Sequence, residues 1–182
     1  MLRATSRTEP KSNGKREDGV RAVMDSLRRI VRDLRLSARD AERSAGISGA
    51  QLFVLQSLAE APASSLNVLA ERTLTDQSSV SVVVKRLADR KLVARKASPA
   101  DARRIELSLT ASGRRLLERC PEPTQARLLV ALRRISPADL GRLTVGLAAV
   151  VKQMGIEGAE ARMLFDEEAP AEPRRRRRES SE

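Results

Sequence analysis

Apolar residues in this chain recur three or four apart over most of its length, and one stretch breaks the rhythm: LVARKASPADARRIELSL, residues 92–109. There the pattern is that of two short strands, LVARKA and RIELSL, joined by a turn at Asp101–Arg103. Two strands in an otherwise helical chain have only each other to pair with, so the spacing predicts one hairpin on a helical body. The only aromatic residues are Phe53 and Phe165, so a core must come from Leu, Val, Ile and Ala, which also favours helices.

Residues 1–18 lack periodicity and read as a disordered arm. From Val20, the row Val20, Val23, Met24, Leu27, Ile30, Val31, Leu34 predicts a helix to about Ser44, stopped near Gly46. Ser48 and Gln51 form a capping box that opens a second helix, which Pro62 closes. Ser64 or Ser65 caps a short third helix, and Thr75 or Asp76 caps a fourth that runs to about Arg90. Within the fourth, Val80-Ser-Val-Val-Val84 is β-branched, but Val80, Val83, Val84 and Leu87 repeat at helical spacing. Helix is therefore expected. After the hairpin, Thr110 starts a helical region that Pro121 and Pro123 interrupt near Cys120. Ser136-Pro137-Ala-Asp139 starts a last helix, ended by Gly155, and residues 156–182 read as a flexible charged tail.

The formal net charge is +11, and residues 20–165 carry +10 of it. A positive excess on the folded part implies an anionic partner, with nucleic acid ahead of a membrane surface. No apolar run is long enough to span a bilayer, and the first residues lack a signal-peptide core, so a cytoplasmic protein is expected. With no His and one Cys, a His/Cys zinc site, an intrachain disulfide and Ser–His or Cys–His nucleophiles are excluded. Walker and dinucleotide glycine patterns are missing too. No cofactor, no metal and no enzyme activity are expected; carboxylate acid chemistry is the one route left open. The shortage of aromatics argues against base stacking on RNA or single strands.

A short helix, a turn, a second helix and a hairpin make a winged helix-turn-helix, so the fold class is mainly α with a small two-stranded β-wing. In that motif the second helix enters the major groove and the hairpin reaches the neighbouring minor groove or phosphates. Residues 66–115 hold eleven Lys/Arg against five Asp/Glu, a net of +6. The exposed recognition-helix candidates are Gln77, Ser78, Ser79, Ser81, Val82, Lys85 and Arg86. Gln can pair with adenine and Val82 can meet a thymine methyl, whereas Lys85 and Arg86 suit phosphates.

Over roughly residues 20–155 the chain resembles the MarR-type (multiple antibiotic resistance regulator) transcription factors. The resemblance rests on Val80-Ser81, Leu87, Leu92-Val93-Ala94-Arg95, Asp101-Ala102-Arg103 and Leu109-Thr110-Ala-Ser-Gly113, taken in this order and spacing. It implies that Arg103 reaches the minor groove while Asp101 holds its guanidinium, with Arg95, Lys96 and Arg104 completing a DNA-binding wing. A narrow minor groove attracts such an arginine. Lys91 stands where the family usually has Gly, and Val82 where it often has Arg. If position 91 needs positive φ, Lys91 is strained by roughly 1 kcal/mol.

The resemblance further implies a homodimer on a pseudo-palindromic double-stranded site, with a DNA-binding segment at about 48–110 and dimerisation helices at about 20–44 and 111–155. It also implies a repressor released by a small-molecule effector, which here would need an aliphatic pocket with arginines. Cys120 does not match the N-terminal cysteine of the family's peroxide sensors and is expected to be structural. Six acidic residues flank and offset the run Arg174–Arg178. The alternative function is an architectural or anti-silencing DNA-binding protein of low sequence preference.

Overall fold

The computed structural model describes residues 11–98, 101–120 and 122–166. Its elements in chain order are α1 (Lys11–Ala45), α2 (Gly49–Glu60), α3 (Leu66–Thr73), α4 (Gln77–Asp89), β1 (Val93–Ser98), β2 (Asp101–Leu109), α5 (Ala111–Leu117), α6 (Thr124–Arg134) and α7 (Pro137–Gln153). The chain divides into two compact units, Met1–Leu36 and Ser37–Glu182.

The first unit holds most of α1. This helix begins at Lys11, so residues 11–18 are not the disordered arm that their lack of periodicity implied. Apolar rhythm reports which face is buried, and a fully solvated helical segment such as 14–19 carries no such signal. Val20, Val23, Met24, Leu27, Ile30 and Val31 are all 37–54% exposed.

In the second unit the caps fall where the side chains allow. The Gln51 amide donates to Ser48 Oγ at 3.2 Å and the Ser48 amide donates to Gln51 Oε1 at 3.0 Å, completing the capping box. Ser65 caps α3 and Asp76 caps α4. The β-branched run of α4 is helical because Val80, Val83, Val84 and Leu87 are wholly buried against the core, overriding strand propensity. That core is aliphatic, built around Ile47, Leu52, Val54, Leu55, Leu58, Leu69 and Leu107.

The hairpin pairs Val93 with Leu109 and Arg95 with Leu107 in antiparallel register, and its inward residues Val93, Leu107 and Leu109 are buried. Ala63, in the α2–α3 connection, adds a single antiparallel bridge: its amide donates to Leu107 O and its carbonyl accepts from the Leu107 amide. Arg72 of α3 clamps the same connection by donating to Ala61 O at 2.6 Å and Pro62 O at 2.9 Å. Helix-turn-helix and wing are thereby tied together through one short loop. Gly113 of α5 lies so close to the start of the wing that an added Cβ would stand 2.2 Å from Leu92 O.

The C-terminal segment departs from the expected flexible tail. After Gly155, at φ +67°, the chain turns back and buries Met163 in the core. Charge composition concealed this, although Met163-Leu164-Phe165 is an apolar triplet containing one of the two aromatics. Residues 167–182, including the Arg174–Arg178 run, lie outside the described residues.

Candidate nucleic-acid interface

The outer face of α4 is built from its first residue. The Asp76 carboxylate accepts from the Ser78 hydroxyl, the Ser79 amide at 2.8 Å and the Ser79 hydroxyl at 2.7 Å. These bonds, the Ser78 hydroxyl first, hold the Asp76 carboxyl well below the usual carboxylate range. A charged cap at the helix N-terminus is favoured by the local dipole as well. Gln77, Ser78, Ser81, Val82 and Lys85 are exposed along one side, opposite the buried valines.

Two expected members of that face are placed otherwise. Ser79 is buried, and its hydroxyl donates to the Asp76 carboxylate. Arg86 is half-buried, and its guanidinium donates to Asp166 at 2.7 Å across 80 residues of sequence. Helical spacing could not show this partner, since it comes from the segment read as tail.

The exit from α4 forms a Schellman motif. The Leu92 amide donates to Leu87 O at 2.9 Å and the Lys91 amide to Ala88 O at 2.8 Å, with Lys91 at φ +58°. Position 91 thus has the left-handed backbone that glycine would satisfy without strain. Leu74 makes the corresponding turn between α3 and α4 at φ +50°, its amide bonded to Glu71 O and the Thr75 amide to Ala70 O. Both turns fix how α4 is presented.

On the wing, Arg95 and Lys96 are exposed, and Lys96 stands opposite Glu106. The strands extend further than their sequence rhythm implies: β2 begins at Asp101, leaving positions 99–100 between the strands. The backbone of Asp101 pairs with Ser98, then a break in register follows before Ala97 pairs with Ile105. Backbone pairing therefore reaches into the expected turn, which sequence alternation does not reveal where a bulge intervenes. The side chains of Asp101, Arg103 and Arg104 lie outside the described residues, and so does the expected hold of Asp101 on Arg103.

Beside the helix-turn-helix lies a cavity of about 230 Å³ lined by Phe53, Leu128, Leu129, Met163, Leu164 and Gln125, among others. Gln125 is buried; its Nε2 donates to Leu164 O at 2.8 Å, while no hydrogen-bond donor among the described residues reaches its Oε1. Cys120 is half-buried, and burial raises its thiol pKa above the ordinary value. Among the described residues no helix is long and apolar enough to cross a membrane, and no group of three His, Cys, Asp or Glu could hold a metal ion.

The sequence model of the MarR family matches residues 45–104, which span α2, α3, α4 and the start of the wing. The HTH-type transcriptional repressor MdtR of Bacillus subtilis (strain 168) is 33% identical over 88 residues, 48% of this chain and 57% of its own length. The chain is thus matched to a little over half of that relative. Among solved structures, the transcriptional regulator BldR from Sulfolobus solfataricus is similar at 22% identity with a TM-score of 0.49, over 75% of this chain and 96% of that one. BpsR of Bordetella bronchiseptica, whose DNA binding is regulated by 6-hydroxynicotinic acid, is similar at 27% identity with a TM-score of 0.48, over 73% and 92%. Across residues 45–104, its helix-turn-helix and most of its wing, the chain is thus similar to the MarR family.

Proposed function

We propose that this protein is a homodimeric transcription regulator that binds a specific, pseudo-palindromic double-stranded DNA site, acts as a repressor, and is released by a small molecule or another signal. The observation that carries this reading is the outer face of α4. Gln77, Ser81, Val82 and Lys85 stand exposed on a helix whose opposite face is locked into the core and whose two ends are set by hydrogen-bonded turns. Such a face supplies a group for adenine, a methyl contact for thymine and a cation for phosphate. Arg95 and Lys96 extend the positive surface along the wing, and Arg103 and Arg104 are assigned to its DNA contact. Repression is taken from the Bacillus subtilis relative, which is a repressor.

The dimer rests on unpartnered apolar rows. No residue of α7 is buried, and Leu140, Leu143, Leu147, Val150, Val151 and Met154 are 37–64% exposed. The row from Val20 to Val31 on α1 is similarly bare. Exposed rows of this kind mark association surfaces, and a two-fold dimer would bring a second α4 about 34 Å away, one turn of DNA along. The cavity beside Gln125 is the place for an effector. Its volume is below the roughly 300–1,000 Å³ of drug-sized sites, which suits a small and largely apolar molecule.

The experiment is a titration onto DNA from upstream of the protein's own gene and onto an unrelated fragment of equal length, over a range of salt. Binding about a thousandfold tighter to the first is expected. Arg103→Ala should weaken it and lower the salt slope by about one. Equal, steeply salt-dependent affinity for both fragments would replace this reading with the architectural one.

A further inference from the structure

The segment Ala159–Asp166 has no place in a DNA-reading motif, yet it reaches a charged residue of α4. It is held at successive residues. Met163 is buried in the core, Leu164 O accepts from Gln125 Nε2, and Phe165 Cβ stands at the position where a Cβ on Gly49 would be 3.4 Å away. The Asp166 amide then donates to Met163 O, and Phe165 takes φ +57°, a left-handed turn just before Asp166. Asp166 is bonded to Arg86 at 2.7 Å, with the Asp166 side chain 14% and the Arg86 side chain 26% exposed.

We infer that this segment is a strap whose carboxylate competes with DNA for Arg86. The inference rests on α4 being the recognition helix. A half-buried guanidinium whose charge a fixed carboxylate already offsets attracts a DNA phosphate less strongly than one without that carboxylate beside it, even though the bond to Asp166 is made through Nη1, one of its several donors. The partner is not a floating surface charge: four consecutive residues position it, so little conformational entropy is recovered when the pair opens. The shielded site also weakens screening by salt. Asp166 therefore sets DNA affinity downward, by withholding one phosphate contact that helical spacing alone would assign to Arg86.

The test compares Asp166→Asn and Asp166→Ala with the wild-type full chain on the same DNA fragment over a range of salt, each checked for unchanged helical circular dichroism. Affinity should rise about three- to tenfold, more for Ala than for Asn, because Asn still offers an acceptor. The slope of log K against log salt should steepen by up to about one, the signature of one further phosphate contact. In an Arg86→Gln background neither substitution should change affinity. Unchanged or weaker binding by both folded variants, with the wild type binding normally, would overturn the strap and leave the DNA reading intact. Failure of the wild type to bind any fragment at low salt would overturn the DNA reading, and the strap with it.

Discussion

Lys91 and Leu74 hold the two turns that flank α4, at φ +58° and +50°. Neither is glycine, so each pays a steric penalty on the left-handed backbone, partly balanced by a less flexible unfolded chain. Lys91 is exposed, and its side chain is not what the turn requires; the turn is made by the Lys91 and Leu92 amides. Lys91→Gly is therefore expected to stabilise the fold by about 0.5–1 kcal/mol, read as a higher urea midpoint at unchanged m-value. At the same scale, Asp76 engages Ser79 twice: the cap needs its amide and takes its hydroxyl as well. The exposed face of this helix is thus left to Gln77, Ser78, Ser81, Val82 and Lys85.

The elements are joined by close backbone approaches more than by large side chains. Gly113 lets the first turn of α5 pass against Leu92 O, while Thr110 Oγ1 donates to Lys91 O at 2.8 Å and accepts from the Gly113 amide at 3.0 Å. The wing, α4 and α5 meet there. Gly113→Ala places a methyl 2.2 Å from a carbonyl oxygen fixed by that turn, so one backbone must move. A loss of about 2–4 kcal/mol is expected, seen as a lowered thermal midpoint. Gly141→Ala, where an added Cβ meets nothing within 4 Å, is the matched control and should be neutral or slightly stabilising.

For the whole molecule, the decisive imbalance is between a well-filled helix-turn-helix core and α7, which buries no residue. The proposed dimer resolves it, and the prediction belongs to α7. Leu143→Asp with Val150→Asp should shift the light-scattering mass to that of a single chain. DNA affinity should then fall by about a hundredfold or more, since the two half-sites would no longer be bound as one unit. The helix-turn-helix core, which neither residue enters, should keep its helical signal. A double variant that remains dimeric would remove α7 from the interface.

Much of the local structure was legible in residue order, because its determinants lie within a few positions of one another. Ser48 with Gln51, Asp76 with Ser79, Ser136 with Asp139 and the valine spacing of α4 are short-range relations, as is the alternation that marks the wing. The start of α1 at Lys11 was not legible, since a solvated helix has no buried face to leave a pattern. Nor were the burial of Ser79, the extent of wing pairing before Ile105 or the descent of Met163 into the core. The Arg86–Asp166 pair is the plainest case: its members are 80 positions apart, and each alone reads as a solvated charge. Helix, cap and hairpin follow from the geometry of neighbouring residues, whereas the exposure of a charge depends on which distant segment folds against it.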